Sequence, residues 1–188
     1  MSYLKEKKEL IYWAKLLNRK GFVTATSGNI SYKAKEDKIL ITRHDCYLGE
    51  LTLEDILLVN LEGKILEGEG EITSEKKLHL DIHNKFQHIK VVIHAHPLNT
   101  VAFFHLFKKL RFFSFEAKIY LKNLKVIPQK TINVVDTYPV LKALENSKIV
   151  VLGNHGVVSI GEDFKYSFGL IDLLEEQSKV NLIIKLRN

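Results

Sequence analysis

Val91-Val92-Ile93-His94-Ala95-His96-Pro97 is the stretch on which the reading of this chain turns. A β-branched apolar run ending in His-x-His reads as a buried strand whose last residues carry chemistry. Strand side chains alternate between faces, so His94 and His96 project to the same side and form a chelating pair. A second apolar run, Ile149 to Leu152, leads into Gly153-Asn154-His155-Gly156, where glycines permit a sharp turn and the close approach of a third imidazole. Zinc accepts imidazole nitrogen at roughly 2.0–2.1 Å, and three protein ligands with an open fourth position mark a catalytic rather than a structural site. The chain therefore reads first as a metalloenzyme. The plainer alternative is a set of hydrogen-bonded histidines at the edge of a core, as a lone strand-end histidine usually is. The two readings differ in whether His155 meets the pair in space.

Upstream, Leu10, Ala14 and Leu17 recur at helical spacing and Gly21 follows as a stop, which predicts an amphipathic helix from about Leu4 to Lys20. Ile30–Tyr32 with Lys38–Thr42, and Ile56–Asn60 with Lys64–Leu66, flank short polar turns and read as hairpins. A helix is expected to open near Thr73-Ser74-Glu75, whose hydroxyls suit an N-cap, with Leu78, Ile82 and Phe86 as its buried stripe and its N-terminus free to meet an anion. Pro97 suits the first turn of a helix running to about Leu110, and a last long helix starts near Asp163. Hairpins dominate the first half, so the economical architecture is a mostly antiparallel central sheet covered by helices. His79 and His83, spaced i, i+4, are a rival metal pair. A zincin site needs glutamate after the first histidine, whereas Leu80 follows His79, so the two are read as a surface or interface pair.

The 188 residues are 46% hydrophobic, contain three prolines and show no linker or repeat, so a single domain spanning 1–188 is expected. The lone Cys46 forms no intramolecular disulfide and reads as an incidental thiol. Met1 to Lys7 lacks the apolar core of a signal peptide and no apolar run approaches the ~20 residues of a membrane span, so a cytoplasmic, non-membrane protein is expected. Net charge is +6, with Lys118, Lys122, Lys125 and Lys130 in one segment. No aromatic residues interleave with these lysines in a single-strand or groove-reading motif, so they read as a solvated face and not as a nucleic-acid surface.

Thr26-Ser27-Gly28-Asn29-Ile30-Ser31, Thr73-Ser74-Glu75, His94-Ala95-His96-Pro97 and Asn154-His155-Gly156-Val157 occur in an order that resembles the class II aldolases of the fuculose-phosphate aldolase and adducin family, over nearly the whole chain. The resemblance implies a three-layer α/β/α fold around a sheet of nine or so strands, a zinc or other divalent ion, and a homo-oligomer, commonly a tetramer, with active sites between subunits. It implies His94, His96 and His155 as metal ligands and Glu75 as an acid/base that can also touch the metal. Gly28, Asn29, Thr73 and Ser74 are implied as phosphate-binding elements, joined by Thr42 and Arg43 at the turn that completes the phosphate cradle. That turn reads Thr42-Arg43-His44-Asp45 in place of Thr-Pro-Ser/Thr-Gly. Asp45 repels a phosphate and Arg43 or His44 offsets it, so a reshaped anion site is expected. After the last helix only Leu186-Arg187-Asn188 remain, so the closing C-terminal tail of some family aldolases is not expected.

The implied reaction is retro-aldol cleavage of a ketose phosphate of the fuculose-1-phosphate type through a metal-stabilised enediolate. Glu75 would serve the carbon, and a separate acid, a tyrosine of a neighbouring subunit in related aldolases, would serve the aldehyde oxygen. Tyr120 is the nearest tyrosine after the His-Ala-His segment. A second enzymatic reading rests on Glu116, which follows the metal pair at about the spacing where methylthioribulose-phosphate dehydratases of the same superfamily place a catalytic glutamate. Sugar-phosphate epimerases share the metal site. A non-catalytic adducin-like domain would be expected to lose the metal ligands, and all three are present here.

Overall fold

The computed structural model describes residues 2–186; Met1 and the Arg187-Asn188 end lie outside the described residues. Its strands are β1 (Asn29–Lys33), β2 (Ile39–Thr42), β3 (Ile56–Val59), β4 (Ile65–Glu67), β5 (Val91–Ala95), β6 (Lys125–Pro128), β7 (Ile149–Gly153) and β8 (Gly156–Gly161). They form one eight-stranded sheet in the order β4-β3-β2-β1-β5-β8-β7-β6. Every neighbouring pair is antiparallel except β6 with β7. The eight described strands fit the expectation of nine or so, and two of them, β8 and the edge strand β6, were not among the expected elements. The residues of β6 are largely exposed at the sheet edge, so no buried apolar alternation marks that strand.

Helices cover both faces, which gives the expected three-layer α/β/α architecture. On one side α1 (Leu4–Arg19), α3 (Leu98–Leu106), α4 (Phe115–Tyr120) and α6 (Phe164–Leu186) pack on Ile30, Val91, Ile93, Val151 and Val157. On the other, α2 (Lys76–Lys85) and α5 (Tyr138–Leu144) pack on Val92, Val150, Leu152 and Val158. β5 sits mid-sheet between β1 and β8, and its alternation sends Val91, Ile93 and Ala95 to the first layer and Val92 and His94 to the second. Each fully buried Leu, Ile or Phe contributes about 1.5–3 kcal/mol by leaving water. Among the described residues no helix is long and apolar enough to cross a membrane.

Three local expectations are corrected. The helix opened by Pro97 ends at Leu106 rather than near Leu110, because Phe107 turns extended. At α2 the N-cap position is Glu75, and neither Thr73 nor Ser74 caps the helix with its side chain. The Thr73 hydroxyl instead accepts from the Glu75 N–H at 3.4 Å. His79 and His83 are not a surface pair: both are fully buried, because α2 presents them to the polar stripe of β1.

The N-terminal helix is tied to the far sheet edge by Lys7, 2% exposed, whose Nζ donates to Glu67 Oε1 at 2.9 Å. That hydrogen bond holds the Glu67 carboxyl down at about 2. Glu67→Gln strands a buried ammonium and is expected to cost about 2 kcal/mol, below the 3–5 of a fully buried pair because Glu67 keeps part of its surface in water. A carboxyl depressed in the folded state stabilises above its unfolded value and loses that contribution as pH falls through the folded one. The difference between wild type and variant in urea unfolding should therefore be full at pH 7 and shrink below about pH 4.5. A pH-independent difference would locate the effect elsewhere.

Candidate active site

The end of β5 and the tip of the β7–β8 hairpin bring three imidazoles together. His94 faces the α2 layer, and its Nδ1–H donates to the Val157 carbonyl at 3.0 Å, which leaves Nε2 with a lone pair. His96 follows the strand and is fixed by its backbone N–H, which donates to the Phe22 carbonyl at 2.7 Å. His155 sits at the hairpin tip, where Asn154 takes the left-handed φ of 60° that asparagine tolerates. Gly156 makes the approach possible: a Cβ there would stand 2.4 Å from the Ala95 carbonyl oxygen and 2.8 Å from His96 Cδ2.

His94 Nε2 lies 2.9 Å from His96 Nε2 and 2.9 Å from His155 Nε2. Burial pushes all three rings down, His94 well below its ordinary value and His96 to about 4, so each is neutral near pH 7. A tetrahedral ion with imidazole bonds of roughly 2.0–2.1 Å holds its nitrogens about 3.4 Å apart, an opening of a few tenths of an ångström from the distances here. Lone pairs converging at one point with Nδ1 of His94 anchored from behind suit a divalent cation of the zinc type. These three residues are the one such cluster among the described residues, and Glu75 is outside it. The Glu75 carboxylate meets the Val134 N–H of the loop after β6.

Glu75 is 3% exposed, and both of its oxygens lie 3.1 Å from the Val134 N–H. Burial raises its carboxyl above the ordinary range, and the single backbone donor offsets this only in part. A carboxyl raised in this way suits a proton-transfer role.

The histidines and Glu75 open on one cleft of about 460 Å3, which Gly28, Asn29, Arg43, Thr73 and Ser74 also line. The Thr73 N–H donates to the Thr42 carbonyl at 3.3 Å and the His44 N–H to the Glu71 carbonyl at 2.8 Å, which stitches the turn after β2 to the entry of α2. Gly28 has φ +79°, and a Cβ there would meet Val23 Cγ1 at 2.5 Å, so only glycine lets this turn pass so close to β5. Non-glycine residues with left-handed backbone gather here as well: Ala25 and Asp45 line the cleft and Asn154 adjoins His155. Such strain persists where surrounding structure over-determines it, commonly at functional sites.

Nine of the expected site residues share this cleft, and three do not. Thr42 is fully buried and its hydroxyl accepts from the Ile30 N–H at 3.3 Å, which makes it a link between β1 and β2. Glu116 and Tyr120 lie on α4, in the opposite helix layer, beside a separate recess formed with Asp163, Lys165 and Tyr166. Arg43 reaches the cleft, but its Nη2 is committed to Asp55 Oδ1 at 2.8 Å. The Cys46 thiol donates to the Arg43 carbonyl, and burial with nearby Asp55 pushes it up to about 11, so it remains protonated and unreactive near pH 7. Ile132, Asn133 and the Val134 amide were not legible beforehand, since a backbone donor carries no residue-type signal.

A family profile described as "Class II Aldolase and Adducin N-terminal domain" matches residues 8–182. The L-fuculose phosphate aldolase of Methanococcus vannielii is 32% identical over 177 residues, covering 94% of this chain and 96% of its own. That of Methanocaldococcus jannaschii is 34% identical over 185 residues, covering 95% and 96%. The crystal structure of L-fuculose-1-phosphate aldolase from Thermus thermophilus superposes with a TM-score of 0.84 at 29% identity, over 96% of this chain and 94% of that one.

Proposed function

Because the chain belongs to the class II aldolase and adducin family, we propose that it is a metal-dependent aldehyde-lyase that cleaves a ketose phosphate of the fuculose-1-phosphate type. The observation that carries this reading is the meeting of three neutral imidazole nitrogens with the buried Glu75 in one cleft whose other wall offers anion-binding groups. The whole chain acts as one domain, in the cytoplasm, and as a homo-oligomer, in our reading a tetramer. His94, His96 and His155 would hold the ion, zinc by the chemistry of the donor set, and the ion would supply Lewis-acid polarisation of the substrate carbonyl.

The chain's own residues do the rest. The Gly28 turn, Asn29, Ser74 and the uncapped start of α2 present N–H and hydroxyl donors to the phosphate. In cleavage the electron pair of the broken carbon–carbon bond stays with the carbon next to the carbonyl, and Glu75 delivers the proton that this carbon takes up. The hydroxyl on the other carbon loses its proton as the aldehyde forms, and we propose that it passes through the hydroxyl of Tyr120 of a neighbouring copy, which hands its own proton to solvent. In condensation both transfers reverse. Burial raises the Glu75 carboxyl, which favours the protonated form that delivers a proton in cleavage, and its carboxylate takes the proton back in condensation.

Product analysis tests the reading. Incubated with a panel of ketose phosphates, the metal-loaded protein is expected to release a triose phosphate with an aldehyde, and Glu116→Gln is expected to retain turnover within about twofold. A diketone phosphate with the carbon count of the substrate, formed by wild type and lost in Glu116→Gln, would replace the aldolase reading with dehydration.

A further inference from the structure

The polar stripe of β1 meets α2 instead of water. Asn29, Ser31, His79 and His83 are each 6% exposed or less. His83 Nε2 lies 2.8 Å from Ser31 Oγ, Ser31 Oγ lies 2.7 Å from His79 Nδ1, and His79 Nε2 lies 2.6 Å from Asn29 Oδ1. Asn29 lines the cleft, and the other three stand behind it. Burial pushes both rings down to about 3, so each is neutral and carries one N–H and one lone pair.

The direction of this chain of hydrogen bonds follows from its near end. His79 Nε2 meets Asn29 Oδ1, an amide oxygen that only accepts, so Nε2 carries the proton and His79 Nδ1 the lone pair. The Ser31 hydroxyl spends its one proton on that lone pair, so its oxygen must take its other hydrogen bond from a proton on His83 Nε2, which leaves His83 Nδ1 unprotonated and without a hydrogen bond of good geometry. His83 Nε2–H then donates to Ser31 Oγ, the Ser31 hydroxyl donates to His79 Nδ1, and His79 Nε2–H donates to Asn29 Oδ1. With its oxygen held from behind, Asn29 offers its amide N–H groups to the cleft. The Ile89 carbonyl also lies near His83 and favours a protonated ring. A proton on Nδ1 aimed at it is the arrangement that would run the relay backwards and turn the Asn29 oxygen outward.

We propose that His83, Ser31 and His79 form a one-directional relay that positions Asn29 as a hydrogen-bond donor to the anionic group of the ligand. This rests on the anion-binding reading of the cleft given above. His79 is then a positioning residue: it acts on the ligand through Asn29 alone.

The test has two independent arms. Long-range nitrogen–proton NMR of the full-length, metal-loaded protein is expected to show both His79 and His83 as Nε2–H tautomers, and Ser31→Ala is expected to give His79 as a tautomer mixture. An Nδ1–H tautomer at either ring in wild type overturns the relay whatever the ligand is. In the second arm, calorimetry measures binding of inorganic phosphate. His79→Gln keeps a donor where Nε2–H stands and should bind within about threefold of wild type, while His79→Leu, which packs but cannot donate, should bind about 10-fold or more weakly. Equal affinity in the leucine variant would reduce His79 to packing and overturn the proposal. Should His79→Leu not fold, Ser31→Ala carries this arm, with weakened binding expected and wild-type affinity overturning it. Absence of phosphate binding by wild type with the Nε2–H tautomers in place would overturn the anion reading of the cleft and the ligand role of Asn29 with it, and leave the relay's direction standing.

Discussion

Replacing His94 with alanine is expected to reduce metal content from about one divalent ion per chain to background, and His155→Ala should do the same. Each change leaves two imidazoles for an ion that needs three protein ligands to hold an open catalytic position. Loss of a group that merely orients a ligand costs 10–100-fold in affinity, so loss of the ligand itself should exceed about 100-fold. His94 is the more severe case, because it stands 2.9 Å from both of its neighbours and is the one ring anchored from behind by the Val157 carbonyl. Elemental analysis of the dialysed variants measures this. Zinc added to wild type should also raise its melting temperature, as a ligand of the folded state must, and should leave both variants unmoved. Full occupancy in a His94→Ala, His155→Ala double variant would place the metal elsewhere; His79 and His83 do not offer that alternative, since both face Ser31.

Glu75→Gln should retain the metal and lose turnover by about 10²–10⁴-fold, the usual contribution of a positioned general acid or base. The amide is nearly isosteric, and its oxygen can still accept from the Val134 N–H that now meets the carboxylate at 3.1 Å. Stability should move the opposite way. Burial raises the Glu75 carboxyl in the folded protein. A raised group stabilises fully below its unfolded value and loses that contribution as pH rises through the folded one. At pH 8 the ionised, buried carboxylate is a burden that glutamine removes, so the metal-free variant should resist urea better than metal-free wild type there, and the gap should close near pH 4. Wild-type turnover in the variant on an identified substrate would refute the role. A variant less stable at pH 8 would show that the carboxylate is better solvated than its burial implies.

The two halves of the site differed in how far they could be read in advance. His94 and His96 were legible because a strand's alternation fixes which side chains share a face, whatever the strand packs against. Gly28, Asn29, Thr73, Ser74 and Glu75 were legible through ordered motifs, and all of them line the cleft. Glu116 was chosen by spacing along the chain, and spacing does not say which layer a helix joins; α4 packs on the face opposite α2, and Tyr120 on the same helix is placed to serve only a neighbouring copy. Thr42 was implied by the resemblance at the phosphate-cradle turn, but its side chain points into the sheet, where its hydroxyl accepts from the Ile30 N–H.

Local sequence determined most of the longer elements and their buried faces, though not β6, β8, α4 or α5, because helix and strand periodicities are short-range consequences of backbone geometry and the hydrophobic effect. It also determined that three imidazoles would be offered at strand and turn ends. Tertiary structure alone decided that the β7–β8 hairpin delivers His155 to 2.9 Å from His94. It decided too that His79 and His83, polar residues on a helix face that reads as exposed, are sealed against β1. Asn29-Ile30-Ser31-Tyr32-Lys33 alternates as a strand with one wet face would, and nothing within five residues says that α2 will cover that face. The physical reason is that a polar stripe is stable in water or against hydrogen-bonding partners alike. The choice between them depends on which element the chain folds over it, and that is a contact between residues about 50 positions apart.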